Sequence, residues 1–395
     1  MLSVPDARER MLVAVRPCVD VERAALAEAL GRVLAEDLRS PVDVPPADNS
    51  AMDGYALRAA DLAGNDATLP LSARIQAGVD PSPLEPGTAA RIFTGAVVPE
   101  GADTVVMQEH CTESDGRVRI EKVPMPGANI RRAGEDIRRD SMVVRSGVRL
   151  QPQHQGLLAS VGLAEVPVCS RVRVQVLSTG DELVEPGQPL SPGQIYNSND
   201  TVLVGLLTAL GCELLPTVQV PDTPEATCQA LERARDQADL VLTSGGVSVG
   251  EADYVKPTVE AMGRLDLWKI NIKPGKPVAF GDLGGVPFLG LPGNPVSVFV
   301  TYCLFAAPVI RRLQGRGDVF PNPVELPADF EVPAGKREEY LRVRLQQGRL
   351  ERYPHQGSGV MSSVAWADGL ARVPVDTAVA KSDLVEYFGF ENLMV

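Results

Sequence analysis

Three short stretches hold the residues whose types and spacing could do chemistry. Ser244-Gly245-Gly246-Val247-Ser248-Val249-Gly250 runs on to Asp253, Lys273-Pro274-Gly275-Lys276 sets two amines around a tight turn, and Leu291-Pro292-Gly293-Asn294-Pro295 leads to Ser297. Each follows an apolar run. Glycines let a backbone come close to a phosphate so that its amides bind it, and helix starts point free N–H groups the same way. Two ammonium groups this close repel each other unless an anion lies between them. Together the stretches describe a pocket for something phosphorylated and strongly anionic.

Each stretch also has a plainer reading. The Ser-Gly-Gly segment could be a flexible turn between strand and helix, but Asp253 favours function. A carboxylate beside a phosphate cradle repels the ligand unless a divalent cation sits between them, and Mg²⁺ held by one or two carboxylates plus phosphate oxygens meets that need. Asp253 can equally cap the following helix, or serve as both. The lysine turn could be a solvated basic loop, although apolar runs at 265–272 and 278–280 enclose it. Pro292 and Pro295 make a good helix cap with Ser297 in the first turn. Ser178-Thr179-Gly180-Asp181-Glu182 and the later Asn197 and Asn199 read as a turn followed by an N-cap. Only Asp181 and Glu182 exceed that need, as candidate metal or base carboxylates.

These turns need a frame, and the pattern from residue 171 supplies one. Apolar, β-branched runs at 172–177, 213–220, 239–242, 265–272 and 287–291 alternate with helical patterns after Asn199, after Pro224, over 253–262 and over 295–313. Strands alternating with helices imply a mostly parallel sheet with its ligand site at the carboxyl ends of the strands. Residues 6–15 and 21–30 read as two short helices. Between 41 and 126 many Pro and Gly separate short runs (71–75, 90–93, 104–107, 117–123), as in a small β-rich module. Its irregular polar flanks mark it as an insertion. The divisions expected are 1–44 with 130–169 as an elongated linking domain, 45–129 as the inserted β-rich domain, 170–315 as the α/β domain, and 316–395 as a small C-terminal β-barrel or sandwich.

The whole chain limits the partners. With 395 residues and a net charge of −13, its global field repels nucleic acid and anionic membrane surfaces, so neither is expected. An anion must then be held by local clusters such as Lys273 with Lys276, or Arg131, Arg132, Arg138 and Arg139. Six scattered cysteines without a CxxC, and only three histidines, suit reduced thiols in a cytoplasm rather than a soft-metal site. The apolar stretch at 296–310 is broken by Ser297, Thr301 and Pro308 and reads as a buried helix.

Three further segments carry polar groups in apolar context but are unassigned by composition: 48–56, 91–96 and 134–137. Read in order with the others, SAMDGYA (50–56), RIFTGA (91–96), RRAGEDI (131–137), STGDEL (178–183), SGGVSVGEADY (244–254), KPGKP (273–277) and LPGNPVS (291–297) resemble the MoeA family. These are the molybdopterin molybdenumtransferases, which include the E domain of gephyrin and of plant Cnx proteins. No single motif is specific, but the ordered series over nearly the whole chain is.

The resemblance implies a multidomain α/β fold: an α/β molybdopterin-binding domain like that of the molybdopterin adenylyltransferases, a β-rich inserted domain, an elongated linking domain and a C-terminal β-barrel. It implies a homodimer whose site uses both subunits, and a reaction in which adenylylated molybdopterin and molybdate, with Mg²⁺, give molybdenum cofactor and AMP. Implied partners are a molybdopterin adenylyltransferase upstream and molybdoenzymes or cofactor-maturation proteins downstream. Asp53, Asp136, Glu182, Asp253, Lys273 and Lys276 match positions of the active cleft, with Asp253 and Glu182 as the Mg²⁺ ligands and the lysines holding molybdate. Substrate contacts are implied for Thr94, Ser178, Thr179, Gly180, Asn199, Ser244, Gly245, Gly246 and Ser248. Others are implied for Pro292, Gly293, Asn294, Pro295 and Ser297, with Arg337 or Arg342 and Ser362 or Ser363 completing the oxyanion site. Val364 stands where related chains often carry an Arg after the paired serines. The alternatives are a molybdopterin adenylyltransferase or a nicotinamide-nucleotide amidase, which the inserted and C-terminal domains disfavour, and a non-enzymatic scaffold.

Overall fold

The computed structural model describes residues 1–17, 20–62, 67–247 and 254–395. Its central sheet has seven strands, in the order Glu213–Leu214, Arg173–Thr179, Leu240–Ser244, Pro287–Leu291, Pro277–Asp282 and Arg264–Lys269, with Val218–Val220 also on Arg173–Thr179. The first four in that order, and Val218–Val220, run parallel; Pro277–Asp282 is antiparallel to both its neighbours. Alternation along the strands explains why both faces are covered. Val174, Val176, Leu240 and Leu242 enter one core, whereas Leu177 and Val241 enter the other. The first core receives Ser198–Ala209 and the helical run through Pro295–Thr301 and Ala307–Leu313. The second receives Pro224–Gln237 and Val255–Met262.

The run at 295–313 is apolar and long enough to cross a membrane, but 94% of it is buried inside the protein, so it is a core helix. Its middle, Tyr302–Ala306, opens into a π turn just before Pro308, whose missing N–H breaks the regular ladder.

Three pairs of short strands run alongside one another on either side of residues 51–129. Val21–Ala25 pairs with Glu165–Cys169, Leu38–Arg39 with Met142–Val144, and Asn49–Ser50 with Ile130–Arg131, all antiparallel. Between them lies a six-stranded sheet, in the order Thr104–Met107, Gly54–Leu57, Ala89–Ile92, Thr68–Ile75, Arg117–Ile120 and Cys111–Ser114. At the other end of the chain, Glu338–Gln346, Gly369–Val373, Leu384–Gly389 and Val324–Pro327 follow one another in a second six-stranded sheet, with Arg349–Arg352 on the outer side of Glu338–Gln346. Its two ends meet where Ala328 bridges Leu350, which curls it toward a barrel.

Four expectations change. Residues 21–30 are not a helix: Val21–Ala25 is a strand followed by a single 3₁₀ turn, Leu26–Glu28. The alanine-rich sequence favours helix locally, but antiparallel pairing with all five residues of Glu165–Cys169 wins. The first helix, Val4–Ala14, is not part of the linking region; Val4, Ala7 and Met11 are fully buried in the α/β core. The run at 213–220 splits into two strands because Pro216 has no N–H for the ladder; its carbonyl instead accepts from Gln175 Nε2 at 2.7 Å. The run at 265–272 also divides, Arg264–Lys269 joining the central sheet and Ile272–Lys273 pairing in parallel with Glu338 and Glu339 of the C-terminal sheet.

Candidate active site

The sheet topology brings the three turns to one edge. Arg173–Thr179, Leu240–Ser244 and Pro287–Leu291 all end there, at Gly180, Gly245 and Pro292. Pro277–Asp282 is antiparallel and so begins there, immediately after Lys273-Pro274-Gly275-Lys276. Asn199, in the first turn of its helix, ties two of these turns together, its Nδ2 donating to Ser244 Oγ at 2.9 Å and to the Gly293 carbonyl at 2.8 Å. Gly275 has a φ of +105°, and a Cβ there would lie 2.5 Å from Thr301 Cγ2 and 3.8 Å from Ser297 Cβ, so the lysine turn rests directly on the helix that carries Ser297.

A cavity of about 360 Å³ opens at this edge, lined by Thr179, Gly180, Glu182, Asn199, Ser244, Gly245, Gly246, Gly293 and Pro295, with Asn197, Asp222, Leu183, Ile195 and Tyr196 beside them. The Gly245 amide donates to the Leu291 carbonyl at 3.1 Å, whereas those of Gly246, Gly293 and Asn294 have no backbone acceptor among the described residues. The Val296 amide, at the start of the helix, is taken by the Ser358 carbonyl at 3.0 Å. Ser178 is fully buried below the cavity, its hydroxyl donating to Asp200 and accepting from Asn197 Nδ2 at 3.4 Å. It positions the helix start and does not line the cavity.

Carboxylates gather on one side. The Glu182 carboxylate turns back over Gly180, and Asp181 and Asp222 bind each other reciprocally, each backbone N–H donating to the other's side chain at 3.3–3.4 Å. Burial, and then the negative charges of Asp181 and Glu182, push the Asp222 carboxyl above its ordinary pKa, against the pull of the Asp181 N–H. A carboxyl raised on folding stabilises the fold below its unfolded pKa of about 3.9 and loses that contribution as pH rises through the folded value. Asp222→Asn should therefore raise the thermal midpoint near neutral pH and give no gain below about pH 3. A gain independent of pH in a melting series would contradict this account.

The lysines differ. Lys273 is half-exposed and pairs with Glu339 Oε1 at 2.9 Å, while Lys276 is exposed and has no partner among the described residues. The C-terminal candidates also separate. Arg342 is 1% exposed; it donates to Ser363 Oγ at 3.1 Å and to the carbonyls of Tyr340 and Gly357 at 3.2 and 3.4 Å. Burial lowers its pKa to about 10, with Glu339 pulling the other way. Ser363 is fully buried and donates to the Val360 carbonyl at 2.6 Å. Arg337, partly exposed, has no side-chain partner among the described residues, and Ser362 is exposed with only Tyr353 at 3.2 Å.

Asp53, Thr94 and Asp136 do not line this cavity. Asp53 Oδ1 accepts from the Thr94 amide at 2.8 Å and hydroxyl at 2.9 Å, and these bonds hold its carboxyl below the usual range. Asp136 is exposed, its amide bonded to the Val44 carbonyl. Ser248 and Asp253 lie outside the described residues. Among those described, no three His, Cys, Asp or Glu side chains group as a metal site. The sequence reading missed Asp222, Ile195 and Tyr196 as lining residues. Asp222 sits after the strand Val218–Val220 and just before the helix Pro224–Gln237, and nothing in its type or spacing marks it as a lining residue.

Family models match along the chain: the MoeA N-terminal region (domain I and II) at residues 2–162, a probable molybdopterin binding domain at 175–312, and the MoeA C-terminal region (domain IV) at 325–390. A molybdopterin molybdenumtransferase of Haemophilus influenzae is 47% identical over 318 residues, covering 80% of this chain and 78% of that protein. Molybdopterin molybdenumtransferase 2 of Mycobacterium tuberculosis is 38% identical over 394 residues, with 95% and 96% covered. The crystal structure of a molybdopterin biosynthesis MoeA protein from Pyrococcus horikoshii superposes with a TM-score of 0.84 at 32% identity, covering 99% of both chains. Motif order, fold and relatives agree: the chain belongs to the MoeA family of molybdopterin molybdenumtransferases, enzymes of molybdenum cofactor biosynthesis.

Proposed function

We propose that the cavity lined by residues 179–295, with the lysine turn at the same sheet edge, binds adenylylated molybdopterin and molybdate side by side and releases AMP as molybdenum cofactor forms. The observation that carries this reading is that the Gly245-Gly246 and Gly293-Asn294 turns, strapped by Asn199, and the Lys273–Lys276 turn, seated on the Ser297 helix, meet at one edge of the sheet; Gly245, Gly246 and Gly293 line the cavity there, and the lysines stand outside its lining. Free amides suit the phosphoanhydride, and an ammonium group beside them suits a tetrahedral dianion. Lys276 holds molybdate in this scheme, with Lys273 exchanging Glu339 for it; Ser297, expected among the ligands, is 2% exposed and outside the cavity lining, and supports the lysine turn from below. Arg337 and Ser362 are the C-terminal groups free to reach it, and Arg342 with Ser363 braces that wall. Incubation with adenylylated molybdopterin and molybdate should release AMP and yield active cofactor. Consumption of ATP instead would indicate adenylylation, and neither reaction would leave a scaffold.

In this reading Mg²⁺ belongs on the carboxylate side, although the described carboxylates do not by themselves form a three-residue metal group. Glu182 and Asp222 line the same cavity with Asp181 beside them, and a divalent cation would neutralise the charge of these neighbouring carboxylates. Glu182, with Asp222 beside it and Asp253 as a further donor, would hold the ion, which would draw off charge developing on the leaving phosphate oxygen. Asp53, Thr94 and Asp136 act, in this reading, in the cavity of a second copy of the chain. A mixture of Asp53→Asn and Lys276→Ala subunits, each inactive alone, should then recover about a quarter of the wild-type rate, because half the dimers are mixed and carry one intact site. No recovery after subunit exchange would mean that each site is built from one chain.

A further inference from the structure

One wall of the cavity is apolar, and no catalytic role accounts for it. After Glu182 the chain leaves the sheet edge and returns through Leu183–Val184 and Ile195–Tyr196, which pair in parallel. This excursion is well braced. The Ile195 amide donates to the Glu182 carbonyl and the Asn197 amide to the Val184 carbonyl, both at 2.9 Å; Gln219 Nε2 donates to the carbonyls of Gly180 and Leu183 at 3.3 and 3.0 Å. Yet Ile195 and Tyr196 remain 55% and 46% exposed while lining the same cavity as the amide turns. The Tyr196 hydroxyl donates to the Gln188 carbonyl at 3.0 Å, which fixes the ring without covering it.

Single exposed apolar side chains are ordinary on a protein surface, but here two adjacent ones on a braced segment share a cavity with backbone amides that lack a backbone acceptor among the described residues. A ligand that satisfies both walls has a phosphate at one end and a flat, poorly hydrated ring at the other. We infer that Tyr196, flanked by Ile195 and Leu183, is the platform on which the planar heteroaromatic ring of a phosphate-bearing ligand stacks while the turns bind its phosphate. This assignment rests on the phosphate reading of the turns and adds a determinant of ring selectivity to it. Because the ring has a low conformational cost and a tethered hydroxyl, the platform is preorganised for stacking.

Binding of AMP and of ribose 5-phosphate, measured by calorimetry on the full chain, separates the ring from the phosphate. AMP should bind wild-type protein about tenfold more tightly than ribose 5-phosphate, as one stacked base supplies. Tyr196→Phe should keep that ratio, and Tyr196→Ala should bring it close to one with ribose 5-phosphate binding unchanged. A pterin monophosphate used in place of AMP reports the other candidate ring, and a preference for it that disappears in Tyr196→Ala supports the platform equally. A preference that survives Tyr196→Ala overturns the proposal, as does wild-type protein that binds ribose 5-phosphate and both ring ligands alike. Should none of the three phosphates bind wild-type protein, the phosphate reading of the turns falls and the platform falls with it.

Discussion

Lys276→Ala should reduce molybdate-stimulated AMP release by about 10²–10³-fold, the range found when one charge-stabilising donor is removed from a reaction centre. Lys276 is exposed at the mouth of the turn and has no carboxylate partner among the described residues, so its ammonium is free to meet an incoming dianion. Lys273 must first leave Glu339. The two variants should therefore behave differently. Lys276→Ala loses the oxyanion contact while binding of adenylylated pterin stays nearly intact, because the amide turns hold the phosphates independently. Lys273→Ala also strands the partly buried Glu339 carboxylate and should lower thermal stability as well as rate. Equal loss of pterin binding and AMP release in Lys276→Ala would remove the lysine from the oxyanion site.

Gly290→Ala should damage the site from inside the sheet. Gly290 lies in Pro287–Leu291, between Leu240–Ser244 and Pro277–Asp282, and a Cβ there would stand 2.1 Å from Val247 Cγ1 and 3.2 Å from Ala279 Cβ. Val247 is fully part of the second core and follows directly on Gly245-Gly246, so its side chain seats the turn. It is β-branched and cannot swing aside cheaply. The substitution should cost about 2–3 kcal/mol, as overpacking in a dense core does, and weaken binding of a nucleoside phosphate. Adding Val247→Ala removes the colliding methyl. The double variant should then be more stable than Gly290→Ala alone, with a coupling of about 1–2 kcal/mol. Strictly additive midpoints in urea would show that the Gly290–Val247 contact does not govern the turn.

Much of this was legible from residues. Asn199, Gly245, Gly246, Gly293 and Gly275 belong to turns whose types the sequence declares, and the alternating β and α pattern dictates that such turns share an edge. The parts that were not legible depend on distant partners. Residues 21–25 become a strand only because Glu165–Cys169 lies alongside, and the first helix joins the α/β core only because Val4, Ala7 and Met11 find a bare strip against the Ala307–Leu313 helix. Arg337 and Arg342 are indistinguishable by type. Burial alone separates a guanidinium consumed by Ser363 and two carbonyls from one left partly exposed. Asp222 is only one more polar residue ahead of a helix until the fold sets it beside Asp181 and Glu182.

The split of residues 264–273 between two sheets has a mechanical meaning. Ile272–Lys273 is stitched to Glu338 and Glu339, whereas Pro277–Asp282 is stitched to Pro287–Leu291, so Pro274, Gly275 and Lys276 span the seam between two bodies. A small tilt of the C-terminal body relative to its neighbour cannot leave that seam unchanged. It alters the gap between the two amines, and their spacing becomes a gauge of how the halves are set against each other.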